Sequence, residues 1–136
     1  MRIWRVAHVY ETHDNFPSGP YAYIGLSDDT FESVGLVLAA AHSSDDRHPT
    51  PHSDAVLSGI DERERCGFTD LESLYSWFNG FPALLADHDF IIYAYEAPEG
   101  SYRIGRYGQT VFDTESATQL EVMAFNPRMA YILTGS

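Results

Sequence analysis

The segment RHPTPHSD, residues 47 to 54, concentrates side chains that could bind a ligand. Its two prolines fix φ near −65° and push the residues before them into extended backbone, so the segment is expected to be a stiff loop rather than a helix. Imidazole and carboxylate groups bind transition metals, but this loop lacks the helical spacing of a metal motif, and we predict no metal site. An arginine beside histidines favours an anion. The predicted ligand-binding residues are Arg47, His48, His52 and Asp54, and a solvated turn is the alternative.

The first strand carries two further polar residues with chemical potential. Arg5 and His8 are three positions apart in RIWRVAH, so on a regular strand they point to opposite faces. They cannot share one cluster unless a bulge intervenes. His8 is either a core histidine satisfied by a backbone carbonyl or a group at a strand end that projects into a cleft.

Tyrosines and a glutamine complete the set of candidate site residues. Tyr21 and Tyr23 share one face of the segment that follows Gly-Pro, where they could stack on a planar ring. Gln109 begins a later strand and offers an amide for hydrogen bonding. Tyrosine pairs on strands also pack simply against neighbouring strands, which is the alternative for this pair.

The charge balance excludes several kinds of function. Eight basic residues, all arginine, face twenty acidic residues among 136, which gives a formal net charge of −12. The absence of lysine excludes Schiff-base chemistry and a phosphate-loop lysine. A chain this acidic repels phosphate backbones, so we expect no direct binding to nucleic acid, whereas basic proteins would be attracted. Cys66 is the single cysteine, which excludes an internal disulfide.

The pattern of elements predicts one α+β domain over residues 1–136, with a mixed or antiparallel sheet of five or six strands and helices on one side. Strands are expected at 2–10, 21–26, 89–97 and 117–125, with one or two more around the glycines at 105 and 108. A helix is expected from Phe31 to Ala41, and a second after Thr69, which with Glu72 forms a capping box. Pro82 begins a short third helix. The predicted core residues are Trp4, Val6, Leu71, Leu74, Phe78, Phe90, Ile92 and Phe112.

Location follows from the same reading of the sequence. The N-terminus alternates and carries charge, unlike a secretory signal, and no apolar run is long enough for a membrane helix. We therefore expect a cytoplasmic protein without membrane contact.

Several short motifs, taken as a set, resemble a group of small bacterial and phage proteins. They read RVAH, GPY, HPTPHSD, CGFTDLESLYSWF, DFIIYAYEA and GQTVFD, and they cover most of the chain from Arg5 to Asp113. The group pattern has valine where GQTVF has threonine. The resemblance implies a small phage or bacterial accessory protein and supplies no reaction mechanism.

The order of elements is also similar to compact ADP-ribosyltransferase folds. That likeness implies that Arg5 or His8 holds the nicotinamide ribose, that Tyr21 or Tyr23 stacks on the nicotinamide, and that Gln109 orients a ribose hydroxyl. A transferase would normally place a carboxylate at the last position, so Gln109 departs from the pattern.

Two hypotheses about function therefore remain open. The first is a site for NAD or another nucleotide, with catalysis undecided and with His8, His48 and Gln109 as candidate catalytic residues. The second is a non-catalytic acidic protein that occupies a basic surface of a host protein, as an inhibitor or nucleic-acid mimic. The nucleotide site requires Arg5 or His8, Tyr21, the histidine loop and Gln109 to converge on one pocket.

Overall fold

The computed structural model describes residues 1–21, 25–42, 63–105, 109–126, 128, 129 and 132. A six-stranded antiparallel sheet lies at the centre, with its strands in the order β6-β7-β4-β1-β5-β8. Strands β2 and β3 form a separate two-stranded hairpin. The predicted α+β class and sheet size are confirmed. The strands are β1 Arg2–His8, β2 Thr12–His13, β3 Phe16–Pro17, β4 Glu64–Phe68, β5 Phe90–Glu96, β6 Tyr102–Ile104, β7 Gln109–Asp113 and β8 Thr118–Met123.

Three helical stretches with defined bounds accompany the sheet in the described part of the chain. The first runs without interruption through α1, a π-helical turn and α2, and the other two are α3 and α4. Pro82 stands in the first turn of α4, where its missing N–H costs no hydrogen bond. The bounds are α1 Asp28–Thr30, the π turn Phe31–Gly35, α2 Leu36–His42, α3 Leu71–Trp77 and α4 Pro82–Asp87.

The two faces of the sheet are covered differently. Side chains from the helical stretches and the even-numbered residues of β1 and β5 form one cluster, in which Val6, Leu74 and Ile92 are buried. The opposite cluster joins Ile3, Tyr95 and Phe112, with Phe16 of the hairpin packed against it. The first face is called the helix face below, and the second is called the hairpin face. All described helices pack on the helix face, as predicted.

The predicted core is confirmed in its main members. Six of the eight residues are buried, and the other two pack against the helix-face cluster while remaining half-buried. One of the six, Phe112, lies on the hairpin face and so belongs to the second cluster. The two half-buried residues are Trp4 and Leu71.

The helix after residue 70 begins one residue later than the sequence pattern predicts. Asp70, in extended conformation, accepts a hydrogen bond from the backbone N–H of Ser73 at 2.7 Å and is the N-cap of α3. The expected capping box of Thr69 and Glu72 was therefore wrong. Both residues before the helix can accept that bond, and the carboxylate is the stronger acceptor.

Two strand pairs were not predicted from the sequence. Residues 64–68, for which no strand is expected, form β4 between β1 and β7. Residues 12–17 form the β2–β3 hairpin, which Asp14 and Asn15 close with positive φ angles. The expected strand at 21–26 is not seen at Tyr21, Gly25 or Leu26, which lie in turns and bends.

Candidate functional site

Arg5 is a buried cation on the hairpin face. Only 6% of the residue is exposed. Its Nη1 donates to the carbonyl oxygen of Cys66 at 2.8 Å, and its Nη2 donates to that of Pro17 at 3.1 Å. The guanidinium also lies over the ring of Phe16, 5.7 Å from its centroid. Arg5 thereby joins the β2–β3 hairpin to β4 in the sheet.

The surroundings of Arg5 are polar without being acidic. Burial lowers the pKa of Arg5, and Cys66 and Tyr95 act in the opposite direction. No described carboxylate pairs with the guanidinium. Three buried polar atoms have no hydrogen-bond partner in the described structure: Nε of Arg5, the hydroxyl of Tyr95 and Oγ1 of Thr110. A buried cation with unused donors is a potential anion-binding group.

His8 lies on the helix face, so Arg5 and His8 point to opposite faces as predicted. Its ring packs edge-on against Phe90, with the ring centroids 5.0 Å apart. Nδ1 accepts the backbone N–H groups of Tyr10 and Glu11 at 3.1 and 2.9 Å. Nδ1 therefore carries no proton, which assigns the ring hydrogen to Nε2, 3.2 Å from Oε2 of Glu11. Both ring nitrogens are already engaged within the protein.

Glu11 is a functional candidate that sequence reasoning missed. Besides contacting His8, its carboxylate accepts the backbone N–H of Ser27 and, at 2.7 Å, the hydroxyl of Thr30. Burial acts to raise the pKa of Glu11, but the hydrogen bonds from Ser27 and Thr30 and the nearby His8 lower it below its ordinary value. The group links the end of β1 to the start of the first helix. The only sequence signal was a carboxylate three residues after a histidine.

Tyr21 belongs to an aromatic group on the helix face. Its hydroxyl accepts a hydrogen bond from Nε1 of Trp77 at 2.9 Å, and its ring stacks on Phe78 with the centroids 6.3 Å apart. Burial of the hydroxyl raises the pKa of Tyr21. The ring of Tyr21, which was predicted to stack on a ligand, therefore stacks on Phe78 with one of its faces.

Gln109 is buried at the start of β7. Gln109 pairs with Phe68 of the neighbouring strand β4, and Phe68 pairs in turn with Trp4 of β1. Paired residues of antiparallel strands share a face, so Gln109 lies on the helix face. Arg5 is therefore on the other side of the sheet from Gln109 and Tyr21. Among the candidates that the structure describes, only His8, Tyr21 and Gln109 share a face.

The remaining predicted site residues lie outside the described part of the chain. They are Tyr23, Arg47, His48, His52 and Asp54. Their assignment to a ligand site stays a prediction. Within the described residues, no group of three or more histidine, cysteine, aspartate or glutamate side chains could hold a metal ion.

An open cleft of about 310 Å³ lies between the start of β4 and the β6–β7 edge of the sheet. It contains balanced charges, since Arg103 pairs with Glu64 at 3.0 Å. None of the predicted site residues lines it. The lining residues are Arg63, Glu64, Gly100, Ser101, Tyr102, Arg103 and Asp113.

The described helical stretches α1 to α4 contain acidic side chains and no arginine. Apart from His42, every histidine, arginine, aspartate or glutamate within α1 to α4 is acidic: Asp28, Asp29, Glu32, Glu72 and Asp87. The arginines lie instead on or beside strands, or in the C-terminal segment at Arg128. Ion pairs neutralise three of them, at 3.8 Å for Arg2–Glu121, 3.3 Å for Arg63–Glu115 and 3.0 Å for Arg103–Glu64.

Comparison with known proteins gives one match. The family model described as "Bacteriophage T4 Y00F protein" matches residues 1–126 of the 136. The chain belongs to this phage protein family. Membership in this family agrees with the resemblance of its motifs to small phage accessory proteins. No curated protein and no solved structure matches it, so the likeness to ADP-ribosyltransferases has no support from a structural relative.

No helix in the described residues of this family member is long and apolar enough to cross a membrane.

Proposed function

We propose that this member of the phage family acts by binding a basic surface on a host protein, without catalysing a reaction. The observation that carries the proposal is the uniformly acidic charge of the helical layer. Like charges on one layer add to a negative potential that attracts a basic partner and speeds its association. Among the described residues, the stretches α1 to α4 contain no arginine that would offset that potential. Three of the arginines elsewhere, Arg2, Arg63 and Arg103, pair with carboxylates.

The arrangement of the polar residues on β1 supports a binding role over catalysis. A general base needs a nitrogen within reach of its substrate. Both nitrogens of His8 are engaged by Tyr10, Glu11 and the Glu11 carboxylate. Arg5, the strongest anion-binding group, is separated from Gln109 by the sheet. A single nucleotide pocket would need these groups together.

A charge-matched capture experiment tests the proposal. The immobilised protein is exposed to lysate of the phage's host, and bound proteins are eluted with rising salt and identified by mass spectrometry. We expect basic proteins to be retained and then released by salt, because screening weakens exposed charge pairs. Neutralising the first helix with Asp28→Asn, Asp29→Asn and Glu32→Gln should strongly reduce their recovery.

The matched control removes the same charge from the sheet side. Glu99→Gln, Glu115→Gln and Glu121→Gln also neutralise three exposed carboxylates, but they lie outside the helical layer. This variant should keep its partners. Equal loss in both triple variants would mean that only net charge matters, and retention of the same proteins by all three forms would contradict the proposal.

A second candidate function is favoured by one observation, the carboxylate-free environment of Arg5. We propose as the alternative that an anionic ligand of the nucleotide type, such as NAD, binds at Arg5 on the hairpin face. The unpartnered Nε of Arg5 and the hydroxyls of Tyr95 and Thr110 would supply hydrogen-bond donors.

Thermal shift with NAD, ADP-ribose and inorganic phosphate tests this alternative. Ligand that binds the folded state raises the unfolding temperature. Arg5→Lys should abolish the rise, and Arg2→Lys, which changes an exposed arginine on the same strand, should preserve it. No rise with any of the three compounds would remove the alternative and leave the binding-protein proposal standing.

A further inference from the structure

We infer that the exposed face of the first helical stretch, α1 through α2, docks an amphipathic basic helix of the partner protein. This inference rests on the proposed function and names the surface and the partner's chemistry. The face is acidic at its N-terminal end and apolar at its C-terminal end. It is called the α1–α2 face below and consists of Asp28, Asp29, Glu32, Leu36, Val37 and Ala41.

The apolar end of the α1–α2 face is unusual for a surface helix. The seven residues of α2 read LVLAAAH, with no charged residue before the histidine. Leu38 is fully buried, whereas Leu36 and Val37 are 50% and 44% exposed. Exposed apolar groups next to one another on one element mark an interaction site more often than isolated ones do.

The acidic end lies one helical turn away. Asp28 and Glu32 are four residues apart, and Glu32 and Leu36 are again four apart, so they follow one another along one side of the helix. The carboxylates of Asp28, Asp29 and Glu32 form no ion pair with a described residue. The charge of the face is therefore available to an external cation.

The π-helical turn fixes the orientation of this face. It spans Phe31–Gly35 and leaves Thr30, Val34 and Leu38 on the buried side. Gly35 is required there, because a Cβ atom would lie 2.8 Å from the Phe31 ring and 3.2 Å from the carbonyl oxygen of Pro20. Such π turns inside α-helices occur frequently at functional sites.

Charge complementarity decides which occupant fits. A second copy of this chain would bring carboxylates against carboxylates or would bury them unpaired, and either arrangement costs free energy. A partner helix with arginine or lysine at one end and leucine or valine at the other satisfies both halves of the face. Helices that dock on a surface in this way place their apolar residues at spacings of three and four.

The test uses a synthetic amphipathic peptide of arginine and leucine, with arginines grouped at one end, and a scrambled peptide of the same composition. Binding is measured by isothermal titration calorimetry, and the contacted residues are identified by amide hydrogen exchange. The variant Leu36→Ser with Val37→Ser should weaken binding of the ordered peptide by about tenfold or more. The matched control is Leu120→Ser with Val122→Ser, whose side chains are 44% and 49% exposed on β8, and it should bind like the unmodified protein.

The outcomes separate this inference from the proposed function. Equal affinity of the Leu36/Val37 variant and the unmodified protein overturns the inference, as does equal affinity of the ordered and scrambled peptides. Absence of measurable peptide binding also overturns it. In each of these cases the proposed function is tested separately by the host-lysate capture, which compares charges of the helical layer with charges elsewhere. Circular dichroism verifies that the variants retain their fold.

Discussion

Nε2 of His8 lies 3.2 Å from Oε2 of Glu11, while Nδ1 of the same ring accepts two backbone N–H groups. The side chain of His8 is only 5% exposed. The pair therefore fixes the turn that leaves β1, and Glu11 extends this link to Ser27 and Thr30 at the first helix. The sequence suggests His8 as a candidate catalytic residue. In the structure, its contacts with the backbone and with Glu11 connect β1, the turn after it and the first helix.

Replacement of His8 by alanine should lower the free energy of unfolding by about 3 kcal/mol, because two partly buried N–H groups lose their acceptor and Phe90 loses a packing partner. The measurement is urea unfolding at neutral pH. His13→Ala is the control, since that side chain is 41% exposed and should change stability by less than about 0.5 kcal/mol. A His8→Ala variant as stable as the control would contradict the proposed structural role of His8.

Protonation of Glu11 at acid pH should lower the stability of the folded protein. The pKa of Glu11 is lower in the folded protein than its ordinary value of 4.5, so the folded state resists protonation of this group. Its stabilising contribution is present above that value and is lost as the pH falls through the lower, folded pKa. Glu11→Gln should therefore show a smaller loss of stability between neutral pH and the acid region than the unmodified protein. Urea midpoints across that range provide the measurement, and parallel curves for the two proteins would count against the assignment.

Arg5→Lys should destabilise the protein by about 1–3 kcal/mol, although the charge is conserved. A lysine ammonium cannot reproduce the planar fork that reaches the carbonyl oxygens of Cys66 and Pro17 together. Amide exchange of residues 12–18 should also accelerate, because Arg5 ties this hairpin to the sheet. Arg2→Lys, at an exposed position of the same strand, should leave both stability and exchange unchanged.

Gly67→Ala should be strongly destabilising, by about 2–3 kcal/mol. An added Cβ would lie 2.5 Å from Cγ2 of Ile3 and 2.9 Å from the carbonyl oxygen of Trp4. Gly80→Ala is a useful comparison, because Gly80 has a positive φ of 89° but no atom near the added carbon, so only the backbone cost of about 1 kcal/mol applies. Thermal unfolding should rank Gly67→Ala as the less stable of the two, and the reverse order would contradict the packing argument.

Cys66 should react slowly with alkylating reagents while the protein is folded. Burial raises the pKa of its thiol above the ordinary 9.0, and the nearby arginines Arg5 and Arg65 offset this only partly. Because the thiolate is the reactive form, the native rate at pH 8 should be far below the rate in denaturant. Iodoacetamide labelling followed by mass spectrometry checks this, and similar rates in the two states would show that the thiol is accessible.

The sequence by itself determined the elements whose signal is local. Alternation along RIWRVAH and the apolar run in FIIYAYE predicted β1 and β5, and the period of LESLYSW predicted α3. Because side chains of a strand alternate between faces, the sequence also placed Arg5 and His8 on opposite sides of the sheet. Net charge and the lack of lysine are properties of composition, so the hypothesis of a basic partner needed no coordinates.

Tertiary structure alone decided what those side chains meet. β4 was missed because Glu64–Phe68 is short and rich in charge, and it becomes a strand by pairing with β1 and β7 across distant parts of the chain. Glu11 became a junction only because the first helix begins beside it. Glu11 and Thr30 are 19 positions apart in the sequence, so no local pattern records their contact.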